Sequence, residues 1–127
     1  MLTVRAMRAV VIEHDPQWRG LVREALEEAG WTVDVAEDGI AALGRIRRHR
    51  PDLVVLDLLL PKLAGGELLR LLRASETGRR IPVLVATGVN VAREVRELAS
   101  AVLRKPFSEG ELLRAAASLE LQGHQHA

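Results

Sequence analysis

The segment Leu53-Val54-Val55-Leu56, followed at once by Asp57, constrains this chain more than any other. Four consecutive apolar residues read as a strand buried on both faces, the kind found in a parallel sheet covered by helices on either side. A carboxylate at the end of such a strand is costly to bury unless something partners it. Ala9-Val10-Val11-Ile12 and Val83-Leu84-Val85-Ala86 repeat the pattern, and Thr32-Val33-Asp34-Val35 and Ala101-Val102-Leu103 add two further short runs.

Between these runs the apolar spacing becomes helical. Trp18, Leu21, Val22, Ala25, Leu26 and Ala29 follow i, i+3, i+4, i+7, i+8, i+11, and Gly30 ends the segment. A second helix is predicted over 38–49 on Ile40, Leu43 and Ile46, stopping before Pro51. A third covers 66–75 with Leu68, Leu69, Leu71 and Leu72, and a short fourth covers 91–99 with Val91, Val95 and Leu98. The fifth opens at Ser108, which with Glu111 forms a capping-box pattern, and buries Leu112, Leu113, Ala116 and Leu119.

Strand and helix thus alternate five times. Right-handed crossovers then favour an open α/β sheet, doubly wound, with helices on both faces. At 127 residues there is room for one such domain, and 48% hydrophobic with 28% charged residues sustains its core. With 18 basic against 17 acidic residues, net charge +1, direct nucleic-acid binding by this domain is not expected. The absence of cysteine removes disulfides, thiol catalysis and cysteine metal sites. No apolar run approaches the roughly 20 residues that span a bilayer. The run near the N-terminus is also too short for a signal-peptide core, so a cytoplasmic protein without a membrane partner is expected.

In an open α/β sheet, ligands bind outside the carboxyl ends of the strands. The residues just past the five runs include Glu13, His14 and Asp15, then Asp57, then Thr87, then Lys105 before Pro106. Carboxylates, a hydroxyl and an ammonium converging on one edge suit phosphoryl handling. A carboxylate can attack phosphorus, a divalent cation can screen the charge, and Lys and Thr can bind phosphoryl oxygens. Asp57, at the end of the most apolar strand, is the candidate nucleophile; the alternative is a structural ion pair between Asp57 and Lys105.

The stretches VVIEHDP at 10–16, PDLVVLDLLLPKLAGGELL at 51–69, IPVLVATG at 81–88 and LRKPF at 103–107 together resemble the receiver domain of bacterial two-component response regulators. The resemblance spans residues 7–120, leaving 1–6 as an N-terminal extension and 121–127 as a frayed tail. It implies a flavodoxin-like five-stranded parallel sheet, (βα)5, that accepts a phosphoryl group from a sensor histidine kinase and signals to a downstream protein partner. Asp57 matches the phosphoacceptor, Thr87 the switch hydroxyl and Lys105 the lysine that meets the phosphoryl group. For Mg²⁺ the resemblance implies Glu13, Asp57 and the backbone carbonyl of Leu59, with His14 at the position of a directly ligating acid. The implied role is a phospho-switch rather than an enzyme, as a monomer or weak homodimer, either standing alone or as the receiver of a larger regulator. An aspartyl-phosphate phosphatase is disfavoured because Leu59, two residues after Asp57, is no general acid.

His14 departs from the family pattern. Imidazole suits softer metals than Mg²⁺, and losing a carboxylate lowers the pocket's demand for a divalent cation. Weakened Mg²⁺ binding and phosphorylation follow, and the rival reading is a pseudo-receiver that binds a protein partner without phosphorylation. His14 turned to solvent, or Asp15 re-aimed as a substitute ligand, are the other arrangements. Val102 stands where the family has an aromatic lever, and the stretch from Thr87 to Lys105 is about one helical turn short. Arg45, Arg47, Arg48, His49 and Arg50 read as a solvated, dipole-favoured helix end, with partner docking as the alternative. Trp31 reads as packing and Trp18 as lying near the mouth of the site. Gly65 and Gly66 permit the turn into the third helix, and His124 and His126 are too few for a metal site.

Overall fold

A computed structural model describes residues 6–125, with side chains to 122. Five strands form one parallel sheet: β1 (Arg8–Ile12), β2 (Thr32–Ala36), β3 (Leu53–Leu56), β4 (Val83–Thr87) and β5 (Ala101–Arg104). Each is followed by a helix: α1 (Pro16–Glu28), α2 (Gly39–His49), α3 (Gly65–Ala74), α4 (Arg93–Leu98) and α5 (Glu109–Gln125). The strand order is β2-β1-β3-β4-β5, the flavodoxin-like order, with its reversal between β1 and β3.

Alternation along the strands divides the core into two halves. Val10, Ile12, Val54, Leu56, Val83 and Val85 face one way, against Ala42 and Ile46 of α2, Leu68, Leu69 and Leu72 of α3 and Val95 of α4. Ala9, Val11, Leu53, Val55, Leu84 and Ala86 face the other, against Val22, Ala25 and Leu26 of α1 and Leu112, Ala116 and Leu119 of α5. Strands buried on both faces need apolar residues at every position, so the middle of the sheet reads as unbroken hydrophobic runs. Trp31 is core, packed in the second half ahead of β2.

The helix ends follow local chemistry. Asp15 caps α1, its Oδ1 accepting from the Gln17 N–H at 2.9 Å, and Pro16 opens the helix. Arg50 ends α2 in the left-handed region, φ 44°, directly before Pro51. The capping box of α5 is present: Ser108 Oγ accepts from Glu111 N–H, and Glu111 Oε1 accepts from Ser108 N–H, both at 3.1 Å. Helix α5 continues through the segment expected to fray from 121, because no proline or capping residue interrupts it after Leu119; residues 126–127 and 1–5, and the His124 and His126 side chains, lie outside the described residues.

The apolar stripes are narrower than the spacing predicts, since Leu21, Ile40 and Leu71 are exposed. At the end of α2, His49 Nε2 lies 2.8 Å from Asp34 Oδ2 and Arg45 3.6 Å from the same oxygen, while Arg47, Arg48 and Arg50 are exposed. Helix α4, only six residues long, buries Val95 alone. Two α3 arginines hold it. Arg70 pairs with Glu94 at 2.7 Å, and Arg73 Nε donates to the Leu98 carbonyl at 2.9 Å while its Nη1 reaches the carbonyls of Gly78, Arg79 and Ile81.

Candidate functional site

Ladder hydrogen bonds at the carboxyl edge of the sheet bring the polar residues side by side. Glu13 N–H donates to the Ala36 carbonyl, Asp57 N–H to Ile12 and Lys105 N–H to Thr87, each at 3.0 Å. These bonds continue the pairing of β1 with β2, β3 with β1 and β5 with β4. Four residues from four strands therefore meet at one rim. Glu13, Asp57 and Thr87 are the buried polar side chains there.

Asp57 is the hub. Its Oδ1 accepts the Thr87 hydroxyl at 2.7 Å and the Leu59 N–H at 3.3 Å, and its Oδ2 accepts the Lys105 ammonium at 2.9 Å. The same ammonium donates to Glu13 Oε1 at 2.5 Å, and Glu13 Oε2 accepts the Asp15 N–H at 3.1 Å. Every buried side-chain nitrogen and oxygen among the described residues has a partner, as expected of buried polar groups.

The two carboxyls are driven apart. Burial pushes Glu13 up from its ordinary value, outweighing the Lys105 and Asp15 hydrogen bonds. Burial acts on Asp57 in the same sense, but hydrogen bonds from Lys105 and Thr87 outweigh it and hold the carboxyl below its ordinary value. Burial lowers Lys105 as well, and contact with Glu13 and Asp57 reverses this, so its ammonium is held more tightly than usual. Asp57 is thus the carboxylate kept ionised, the state a nucleophile needs.

His14 and Asp15 lie outside this cluster. His14 is exposed, and its imidazole has no hydrogen bond or ion pair among the described residues. Its carbonyl and that of Glu13 accept from Arg19 Nη1, at 3.2 and 3.0 Å. Asp15 spends its carboxylate on the α1 cap, so it does not replace a pocket ligand. Leu59 is exposed, and its backbone N–H is what reaches Asp57. Among the described residues no three His, Asp or Glu side chains converge; the carboxylates that do are Glu13 and Asp57.

Two features were not assigned from the sequence. A Cβ on Gly65 would lie 2.5 Å from the Asp57 carbonyl oxygen, so this glycine lets α3 start against the end of β3, beyond permitting a turn. Gly66 has ordinary room, its nearest atom at 3.4 Å. The other is an aromatic pair, Trp18 and Phe107, beside Lys105. The signal for it was the position of Phe107 two residues after Lys105, which only the path of the following loop makes meaningful.

A flavodoxin-like sheet with a buried Asp, a second carboxylate, a hydroxyl and an ammonium at its carboxyl edge defines a class of small α/β domains that carry a polar cluster where ligands of open parallel sheets bind. Residues 9–117 match the response regulator receiver domain, and the chain belongs to that family. Among relatives, the response regulator MprA of Mycobacterium sp. (strain KMS) is 40% identical over 111 residues, 84% of this chain and 47% of the relative. The chain thus spans about half the length of such relatives. The receiver domain of sensor histidine kinase PA1611 from Pseudomonas aeruginosa PAO1, solved with a magnesium ion coordinated in its active site cleft, is 30% identical with TM-score 0.81. That match covers 91% of this chain and 98% of the other. A putative response regulator from Chloroflexus aurantiacus is 25% identical with TM-score 0.86, over 92% and 99% of the two chains. No helix among the described residues is long and apolar enough to cross a membrane.

Proposed function

We propose that Asp57 accepts a phosphoryl group from a sensor histidine kinase and that the resulting charge shifts the Thr87 side of the sheet edge to signal to a downstream protein. The observation that carries this is the pairing of the two Asp57 oxygens, one with the Thr87 hydroxyl at 2.7 Å and one with the Lys105 ammonium at 2.9 Å. A carboxylate oxygen of Asp57 forms a bond to phosphorus while the phosphorus–nitrogen bond of a phosphohistidine donor breaks. The electron pair returns to the imidazole nitrogen, which takes up a proton. Lys105 and Thr87 then exchange carboxylate contacts for phosphoryl oxygens, so the charge that develops meets donors already in place. Thr87 ends β4, and its hydroxyl also accepts from the Val89 N–H at 3.4 Å, which links its movement to the loop before α4.

Two hard carboxylates fit a magnesium ion, which ordinarily binds through one or two carboxylates and keeps several waters. Glu13 and Asp57, with the Leu59 carbonyl, would hold it, and it would screen Asp57 from the incoming phosphoryl charge. With His14 facing solvent and Lys105 already between the acids, the pocket carries about −1, which weakens its hold on the ion.

The chain is incubated with a small acyl phosphate, with and without Mg²⁺, and its intact mass is recorded. A single phosphoryl adduct, lost in Asp57→Asn, is expected. No adduct under either condition would leave the fold as a partner-binding module, and steady hydrolysis of an added phosphomonoester would make it an enzyme.

A further inference from the structure

The Lys105 ammonium has a third neighbour besides the two carboxylates. It lies over the Trp18 ring, 5.1 Å from the centroid, within the range at which a cation is drawn to the negative face of an aromatic system. Trp18 itself packs against Phe107, centroids 4.8 Å apart and planes at 42°. Lys105 and Phe107 flank Pro106. The loop after β5 delivers both an ammonium and a phenyl ring to one indole. That indole comes from the first turn of α1, whose start is fixed by the Asp15 cap and Pro16.

The placement matters because a lysine stem is long and flexible and its ammonium is a point charge with no preferred direction. Two carboxylates attract it without fixing where it sits along the gap between them. A flat aromatic face from a third element supplies the missing constraint. Resting on the phosphoacceptor reading above, we propose that Trp18 is a positioning residue for phosphoryl transfer at Asp57, its indole face holding the Lys105 ammonium over the gap between Glu13 and Asp57. Phe107 sets the tilt of the indole. When a phosphoryl group is attached to Asp57, the ammonium meets its oxygens without leaving the ring.

The chain has two lysines, Lys62 and Lys105, so their side-chain methylene signals are readily told apart by NMR. In the wild type the ε-protons of Lys105 lie upfield of those of exposed Lys62, shifted by the indole ring current. Trp18→Leu removes the difference, and Trp18→Phe keeps part of it. In parallel, adduct formation from a small acyl phosphate is followed by intact mass. Trp18→Leu slows it roughly twofold to thirtyfold, the range for a cation on an aromatic face, and Trp18→Phe slows it less. In a Lys105→Met background the Trp18→Leu substitution has no further effect, which a ring acting only as wall material would not produce. Should Trp18→Leu fail to fold, Trp18→Phe carries the same comparison. An adduct formed at the wild-type rate by Trp18→Leu, or an equal slowing in the Lys105→Met background, overturns the role of Trp18 alone. No adduct on the wild type overturns the phosphoacceptor reading and this role with it.

Discussion

Lys105→Met probes the pocket's balance of charge, because methionine keeps an unbranched apolar stem and removes the ammonium. In the wild type that ammonium is 2.5 Å from Glu13 and 2.9 Å from Asp57, with both acid side chains 7% exposed. Its removal leaves two adjacent buried carboxylates held only by the Thr87 hydroxyl and the N–H groups of Asp15 and Leu59. Breaking a buried ion pair from one side costs about 3–5 kcal/mol. Since the Lys105 side chain is 14% exposed, the lower end, about 3 kcal/mol, is expected near neutral pH. With a urea slope of about 1–3 kcal/mol per molar, the unfolding midpoint falls by roughly 1–3 M. Acid relieves the loss. Burial already holds the Glu13 carboxyl above its ordinary 4.5, and without Lys105 it rises further. A group whose folded pKa is raised favours the folded state when protonated, so the variant gains stability as pH falls through that raised value toward 4.5. In the wild type, Lys105 contributes stability that is fully present below 10.5 and is lost as pH rises through its raised folded value. Asp57 contributes stability present above 3.8 and lost as pH falls through its lowered folded value. Urea unfolding of both proteins, followed by circular dichroism at about pH 5 and pH 7.5, reads the difference. A deficit under about 1 kcal/mol near neutral pH, or one that does not shrink in acid, would refute the reasoning.

Three further substitutions test other parts of the account. His14→Asp adds a carboxylate at the exposed position 14 and is expected to tighten Mg²⁺ binding by up to roughly tenfold, since a unit charge close to a divalent cation is worth about 1–2 kcal/mol through water; titration of tryptophan fluorescence with Mg²⁺ measures it, and equal affinities would count against it. Gly65→Ala drives a Cβ to within 2.5 Å of the Asp57 carbonyl oxygen and is expected to cost about 1–3 kcal/mol. Gly66→Ala, with room and a better helix former, is expected to be neutral or stabilising by up to about 1 kcal/mol, and urea unfolding compares the two. Arg73→Ala strips the donor from the carbonyls of Gly78, Ile81 and Leu98 and is expected to cost about 2–4 kcal/mol, with faster amide hydrogen exchange through α4 and the preceding loop.

Much of this protein was legible in its sequence because burial on two faces leaves a plain mark. Leu53–Leu56 and Val83–Ala86 admit no polar residue, and the rule that ligands gather beyond the carboxyl ends of parallel strands then groups Glu13, Asp57, Thr87 and Lys105 without a structure. What was not legible depends on where loops turn. Whether His14 faces in or out is decided by Asp15 committing its side chain to the α1 cap and by Arg19 holding the two carbonyls before it. The contact of Trp18 with Lys105 joins residues 87 positions apart through a loop that carries no periodicity. Nothing in the sequence sets Arg73 apart from the other charges on α3. Its role became visible only once the chain after Ser75 folded back over it.

Glu13 and Lys105 are 92 residues apart in the chain and share one hydrogen bond. The four side chains at the rim are thus drawn from segments between residue 13 and residue 105, and no short stretch of the chain holds the set. On the phosphoacceptor reading proposed above, a partly melted molecule keeps Asp57 but loses Thr87 and Lys105 from beside it, and would accept a phosphoryl group poorly. For such a switch, readiness to be addressed would arrive only with the closing of the sheet.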